Sequence, residues 1–224
     1  MKAFFFDQDG ILYNSMPKHA RAWAEVMQRH GFNFTEEDCF LNEGRTGQDV
    51  IREAIWELEH REATEEEIWE IYDEKGEAFA RQGEVEPIKG IVEVLRFLKK
   101  NKKDIWVVTG SAQASLLDNL NTKIGPFFDR SRMITAFDVT HGKPNPEPYL
   151  MAWDRSKQPK KECCVIENAP LGVRAGKAAG LFTIAVNTGP LADAALWNEG
   201  ADIVLPSMKE LLDWLREEHQ QHLA

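Results

Sequence analysis

This chain has no apolar run approaching the roughly 18 residues of a membrane-spanning helix. Its first apolar stretch, Ala3 to Phe6, stops at Asp7, too short for the core of a secretory leader. Cysteine is scarce: Cys39, Cys163 and Cys164 are an odd count without metal-ligand spacing. The adjacent pair lies in an apolar run, so buried, reduced thiols and a cytoplasmic location are expected. Positive charge is also short. A net charge of −10 argues against nucleic acid or an anionic membrane as partner. Gly-x-Gly-x-x-Gly is missing. Gly172 to Lys177 is one residue short of a P-loop and has no hydroxyl after the lysine. Ile11 stands where a calcium loop needs its third acid. No internal repeat or low-complexity tract is present.

What is present suits a soluble globular protein. The 224 residues, 43% hydrophobic and 29% charged, can bury a core and fit one domain carrying a smaller insert. The three aromatics of Phe4-Phe5-Phe6 predict a short buried strand. From about residue 15 to 83 the pattern is helical throughout. Ser15-Met16-Pro17 and Thr35 open helices, Thr46 opens a third, and Thr64 with Glu67 matches a capping box. Gly31 is a C-terminal stop. After Gly83, apolar strands alternate with helices: strands at 104–109, 133–135, 163–167, 182–186 and 203–205, helices at 88–100, 111–120, 146–155, 171–179, 191–198 and 208–218. Such alternation predicts a parallel sheet covered on both faces. The expected fold is α/β, a Rossmann-like doubly wound parallel sheet with an inserted all-helical unit. The core spans 1–14 and 84–224 and the insert spans 15–83. Tyr13-Asn14-Ser15 and Gln82-Gly83-Glu84 are the expected hinges.

Chemistry-bearing residues follow the strands. Asp7 and Asp9, two apart after the first strand, point the same way from its carboxyl end. That edge is where open α/β sheets bind ligands. Paired carboxylates need a cation, a shared proton or a reaction, unless they form a solvated turn. Thr109-Gly110-Ser111 opens a helix and suits a phosphate, or is a plain helix cap. Lys143 lies in a Pro-rich turn. Glu167-Asn168 follows another strand and reads as metal ligands or helix caps. Together these residues supply a nucleophile, an acid/base, phosphate donors and metal ligands.

In their order and spacing, Asp7-Gln8-Asp9-Gly10-Ile11-Leu12, Val108-Thr109-Gly110-Ser111, Lys143-Pro144 and Glu167-Asn168 with Gly172 and Ala178-Ala179-Gly180 resemble the four motifs of the haloacid dehalogenase superfamily. The resemblance covers essentially the whole chain, and the insert looks like its small helical cap. It implies phosphoryl transfer through an aspartyl-phosphate. Asp7 is then the nucleophile and Asp9 the acid and base. Thr109, Gly110 and Lys143 hold the transferring oxygens, with Ser111 beside them. Mg²⁺ sits on the Asp7 carboxylate, the Asp9 carbonyl and Glu167-Asn168. A carboxylate and a phosphate approach only when a cation and N–H donors offset their repulsion. Asp9 argues against the dehalogenase branch, whose carbon chemistry needs no such acid.

Asn14-Ser15 and His19-Ala20-Arg21-Ala22-Trp23 resemble the β-phosphoglucomutase-like subgroup. Two departures matter. Asn168 replaces a usual acid, and the cap loop Asn42-Glu43-Gly44-Arg45-Thr46-Gly47 has Glu43 and Gly47 where mutases carry lysine and arginine. A carboxylate lost from the core and regained in the cap makes Glu43 a candidate Mg²⁺ ligand. This loop resembles an inorganic pyrophosphatase branch, with Arg45, His19 and Lys75 as cations for the leaving phosphate. Pyrophosphate is accordingly the expected substrate and a monomer the expected state. A β-phosphoglucomutase or sugar-phosphate phosphatase is the alternative, and a catalytically silent phosphate-binding protein the second.

Overall fold

In the computed structural model, residues 1–111, 120, 122–128 and 130–221 are described. The helix expected at 111–120 falls almost wholly outside them. The sheet consists of β1 (Ala3–Phe6), β2 (Asp104–Val108), β3 (Met133–Ile134), β4 (Cys163–Glu167), β5 (Phe182–Val186) and β6 (Ile203–Leu205). Every pairing is parallel, in the order β3-β2-β1-β4-β5-β6. The chain therefore leaves β1 in one direction to β2 and returns beside it as β4. The crevice at this reversal is the ligand position of doubly wound sheets. β1 shows why the strands read as unbroken apolar runs: all four residues are fully buried. Phe4 and Phe6 pack with Ile105, Val107, Cys164 and Ile166 on one face. Ala3 and Phe5 pack with Trp106, Val108 and Val165 on the other.

Between β1 and β2 come α1 (Met16–Arg29), α2 (Glu36–Leu41), α3 (Gly47–Glu59), α4 (Glu65–Ala80) and α5 (Ile91–Lys100). The first four carry no strand among the described residues, as expected for 15–83. α1 packs along α2 and α4, and α3 along α4. The stripe Ile68, Ile71, Tyr72, Lys75 and Phe79 is the buried face of α4. Threonines open three of these helices. Thr35 and Thr64 form full capping boxes with Asp38 and Glu67, and Thr46 accepts from the Asp49 N–H. Ser15 breaks the pattern, since it precedes α1 without capping it. Its hydroxyl donates to Asp9 Oδ1 instead. Beyond β3 lie α6 (Glu147–Ser156), α7 (Pro170–Ala178), α8 (Asp193–Asn198) and α9 (Met208–Gln221). α8 starts two residues later than its periodicity implies: the Asn187 amide holds the Leu191 carbonyl ahead of it and the Asp193 carboxylate at its first residue. All three cysteines are free and buried. No helix among the described residues is long and apolar enough to cross a membrane.

Candidate active site

Asp7 and Asp9 line one cavity with Thr109, Gly110 and Ser111 from the end of β2, and with His19, Glu43, Arg45 and Lys75 from the helical insert. The volume is about 80 Å³. Gly10, with φ of +80°, turns the chain directly after the pair. A side chain there would also overlap the Asn168 amide, so the turn needs glycine twice over.

Lys143 is 1% exposed and organises the floor. Its ammonium donates to Asp7 Oδ1 at 2.5 Å, Glu167 Oε1 at 2.7 Å and the Val108 carbonyl at 3.0 Å. Two buried carboxylates hold it protonated, above the ordinary lysine range despite burial. Burial pushes Asp7 up to about 8 while the Lys143 charge opposes that rise. Glu167 is spent on structure. The Tyr149 hydroxyl donates to its Oε1 at 2.6 Å, and the N–H groups of Asn168 and Ala169 donate to Oε2. In this structure Glu167 thus anchors Lys143. Tyr149 is a residue that sequence reasoning missed. Its only signal was its place in the Pro-Asn-Pro-Glu-Pro-Tyr run after Lys143.

Asp9 is held from the helical insert. Ser15 and His19 Nε2 both meet its Oδ1, the latter at 3.3 Å. Lys75 donates to His19 Nδ1 at 2.8 Å, which leaves the imidazole proton on Nε2, facing Asp9. The ring is stacked on Phe79 at 4.2 Å. Desolvation would raise the Asp9 carboxyl, yet His19, Ser15 and Lys75 hold it below the usual range. Burial lowers Lys75 to about 8, and burial with the Lys75 charge lowers His19. Cys39, in the same cavity, is pushed up by burial to about 12 and stays a thiol.

The remaining expectations divide. Thr109 is buried, with Oγ1 accepting from the Ser111 N–H at 3.0 Å. Arg45 lines the cavity, but its guanidinium is paired with Glu53. Glu43 is 8% exposed and reaches the core, accepting from Asn168 Nδ2 at 2.6 Å. Asn168 Oδ1 is buried without a partner, as are both amide atoms of Gln8.

A hard cation fits what is left over. No group of three or more His, Cys, Asp or Glu among the described residues is arranged around a metal. The oxygen donors at hand are the Asp7, Glu43 and Glu167 carboxylates, the orphaned Asn168 Oδ1 and the Asp9 carbonyl. An all-oxygen set of mixed type suits Mg²⁺. The charges agree as well. Asp7, Asp9, Glu43 and Glu167 face Lys143 and Lys75, an excess of two negative charges when all are ionised. Burial, reinforced by the Asp7, Glu167 and Asp9 carboxylates and opposed by the Asn168 hydrogen bond, pushes the Glu43 carboxyl well above its normal range.

Residues 1–180 match the model of the haloacid dehalogenase-like hydrolases. The chain is 32% identical over 223 residues to hexitol phosphatase A of Escherichia coli, across 94% of this chain and 93% of that one. It is 28% identical to a phosphorylated carbohydrates phosphatase of Thermotoga maritima, covering 97% of this chain and 99% of the other. A solved structure from Bacteroides vulgatus, provisionally named a β-phosphoglucomutase, superimposes with a TM-score of 0.91 at 47% identity, over 95% of this chain and 86% of that one.

Proposed function

This chain belongs to the haloacid dehalogenase-like hydrolases, and from that footing we propose that it is a Mg²⁺-dependent phosphatase of small phosphorylated carbohydrates. The observation that carries the reading is the Lys143-anchored Asp7 carboxylate beside Asp9, at the sheet edge beneath the helical insert. The substrate class rests on the relatives' names. This reverses the order expected from the cap loop, which put pyrophosphate first.

In this reading residues 15–83 form a cap over a core of 1–14 and 84–224. Asp7 attacks phosphorus, and the P–O bond to the alcohol breaks. The departing oxygen takes a proton from Asp9. Asp9 then removes a proton from water, which attacks the phosphorus and releases phosphate from Asp7. At rest Asp9 is ionised. The negative charge of an incoming phosphate raises its affinity for the proton it later donates. Lys143 and the Thr109 hydroxyl hold the transferring oxygens. Mg²⁺, bound by Asp7, the Asp9 carbonyl, Asn168 and Glu43, would offset the charge between carboxylate and phosphate.

Pyrophosphate remains a second reading, because Glu43 occupies cavity space beside Asn168. A cavity of about 80 Å³ is far below the roughly 300–1,000 Å³ of usual ligand pockets. A hexitol phosphate needs the cap further out, whereas pyrophosphate does not. A panel of hexitol, hexose and glycerol phosphates plus pyrophosphate, assayed for phosphate release, separates the two by kcat/KM. Interconversion of glucose phosphates reports a mutase. Asp7→Asn should lose at least about 10³-fold, and full activity in that variant would overturn the nucleophile. Glu43→Gln should depress pyrophosphate turnover more than sugar-phosphate turnover if pyrophosphate is the substrate. Silence across the panel would favour a phosphate-binding protein without catalysis.

A further inference from the structure

An ammonium has three N–H donors, and those of Lys143 meet Asp7, Glu167 and the Val108 carbonyl. In the reading above the same ammonium also holds a transferring phosphoryl oxygen, so one acceptor must give way. The Val108 carbonyl is fixed at the end of β2. Asp7 is the acceptor that yields. Its negative charge is neutralised as its bond to phosphorus forms, and its hold on the ammonium weakens. From that moment Glu167 is the carboxylate that keeps Lys143 in place, so the grip on Glu167 bears on the chemical step.

That grip is built from several sides. The Glu167 side chain is wholly buried. The N–H groups of Asn168 and Ala169 hold Oε2. Gly172, in the first turn of α7, presents a bare face, and a Cβ there would overlap the carboxylate. Tyr149 closes the seat from the first turn of α6. It is fully buried, and its ring centroid lies 5.0 Å from Lys143 Nζ. Its hydroxyl donates to Oε1, the same oxygen that Lys143 uses, so hydroxyl and ammonium fix each other through one atom. For packing alone a buried tyrosine needs only some acceptor. From this arrangement we infer that Tyr149 is a positioning residue for phosphoryl transfer: with Gly172 completing the seat, it holds Glu167 so that Lys143 stays placed while its ammonium exchanges Asp7 for a phosphoryl oxygen. The inference rests on the phosphatase reading above.

Tyr149→Phe keeps the ring beside the ammonium and removes one oxygen. With the best substrate of the panel, kcat should fall roughly 10- to 100-fold, and KM should stay within about twofold of wild type. Orthovanadate, which imitates five-coordinate phosphorus, should inhibit more weakly by a similar factor, while inhibition by inorganic phosphate should not change. A readout that needs no substrate is the side-chain nitrogen resonance of Lys143 in the lysine-labelled full chain, assigned by its loss in Lys143→Arg. Its ammonium protons should exchange with water faster in Tyr149→Phe than in wild type. Gly172→Ala displaces the same carboxylate from the other side. It should reproduce both effects, and it carries the test if Tyr149→Phe does not fold. Wild-type kcat in a folded Tyr149→Phe would overturn the inference and leave the hydroxyl to packing. So would a loss confined to KM, or Lys143 protons that exchange as in wild type. A wild type inert toward the whole panel would instead remove the phosphatase reading, and the inference with it.

Discussion

At the scale of single residues, Lys75 has the least expected environment. It sits in the apolar stripe of α4, 4% exposed, with its ammonium 5.1 Å from the Trp23 ring and 5.4 Å from that of Phe79. Burial has brought it to about 8 against an ordinary 10.5. The unfolded chain therefore binds more protons than the native one between those values, so native stability should rise with pH across that window. The shift corresponds to about 3 kcal/mol. Urea unfolding of wild type and Lys75→Met between pH 7 and 10 checks it, and the variant should lack the rise. A lysine at stripe spacing from Ile71 and Phe79 was a readable sign of burial. Its partner His19 was not readable, because spacing within α4 says nothing about what α1 brings against it. Asp7, Asp9 and Lys143 stood out because each ends a strand or a turn at one sheet edge. Glu167 stood out for the same reason, but its role depended on Tyr149, which α6 supplies.

At the scale of elements, α4 shows how local chemistry sets an end. Thr64 accepts from the Glu67 N–H while the Glu67 carboxylate accepts from the Thr64 N–H. Hydrogen bonds from the Arg61 side chain and from Thr64 hold the Glu67 carboxyl down at about 2. Its contribution is complete above the unfolded carboxyl range near 4.5 and is lost as pH falls toward 2. Thr64→Ala should cost about 1 kcal/mol in chemical denaturation. This end was legible because a capping box lies within four residues. Ser15 has the same cap chemistry and a proline beside it, yet its hydroxyl serves Asp9. A cap residue with a buried carboxylate in reach has two partners to choose from, and sequence order does not rank them. Arg45 likewise takes a partner that its own loop does not announce, Glu53 on α3.

At the scale of the molecule, helical insert and core meet through backbone as much as side chains. Gly44 and Arg45 carbonyls lie over Gly110, and Lys18 reaches across to the Glu84 carbonyl. Gly110→Val should hold the two parts apart. The check is a larger radius of gyration in solution scattering, together with a raised KM. The substrate was the least legible property. It depends on how far the insert stands from the core, a distance that no motif encodes.

The place of β1 in the middle of the sheet has a consequence during synthesis. Ala3 pairs with Asp104 on one side and Cys163 on the other. The Phe4-Phe5-Phe6 strand thus emerges roughly a hundred residues before its first neighbour. At about 5–20 residues per second, that leaves it without a ladder for about 5–20 s. The helices between can form from local contacts in that interval. The nascent chain therefore carries an unpaired aromatic strand until Asp104–Val108 has been made.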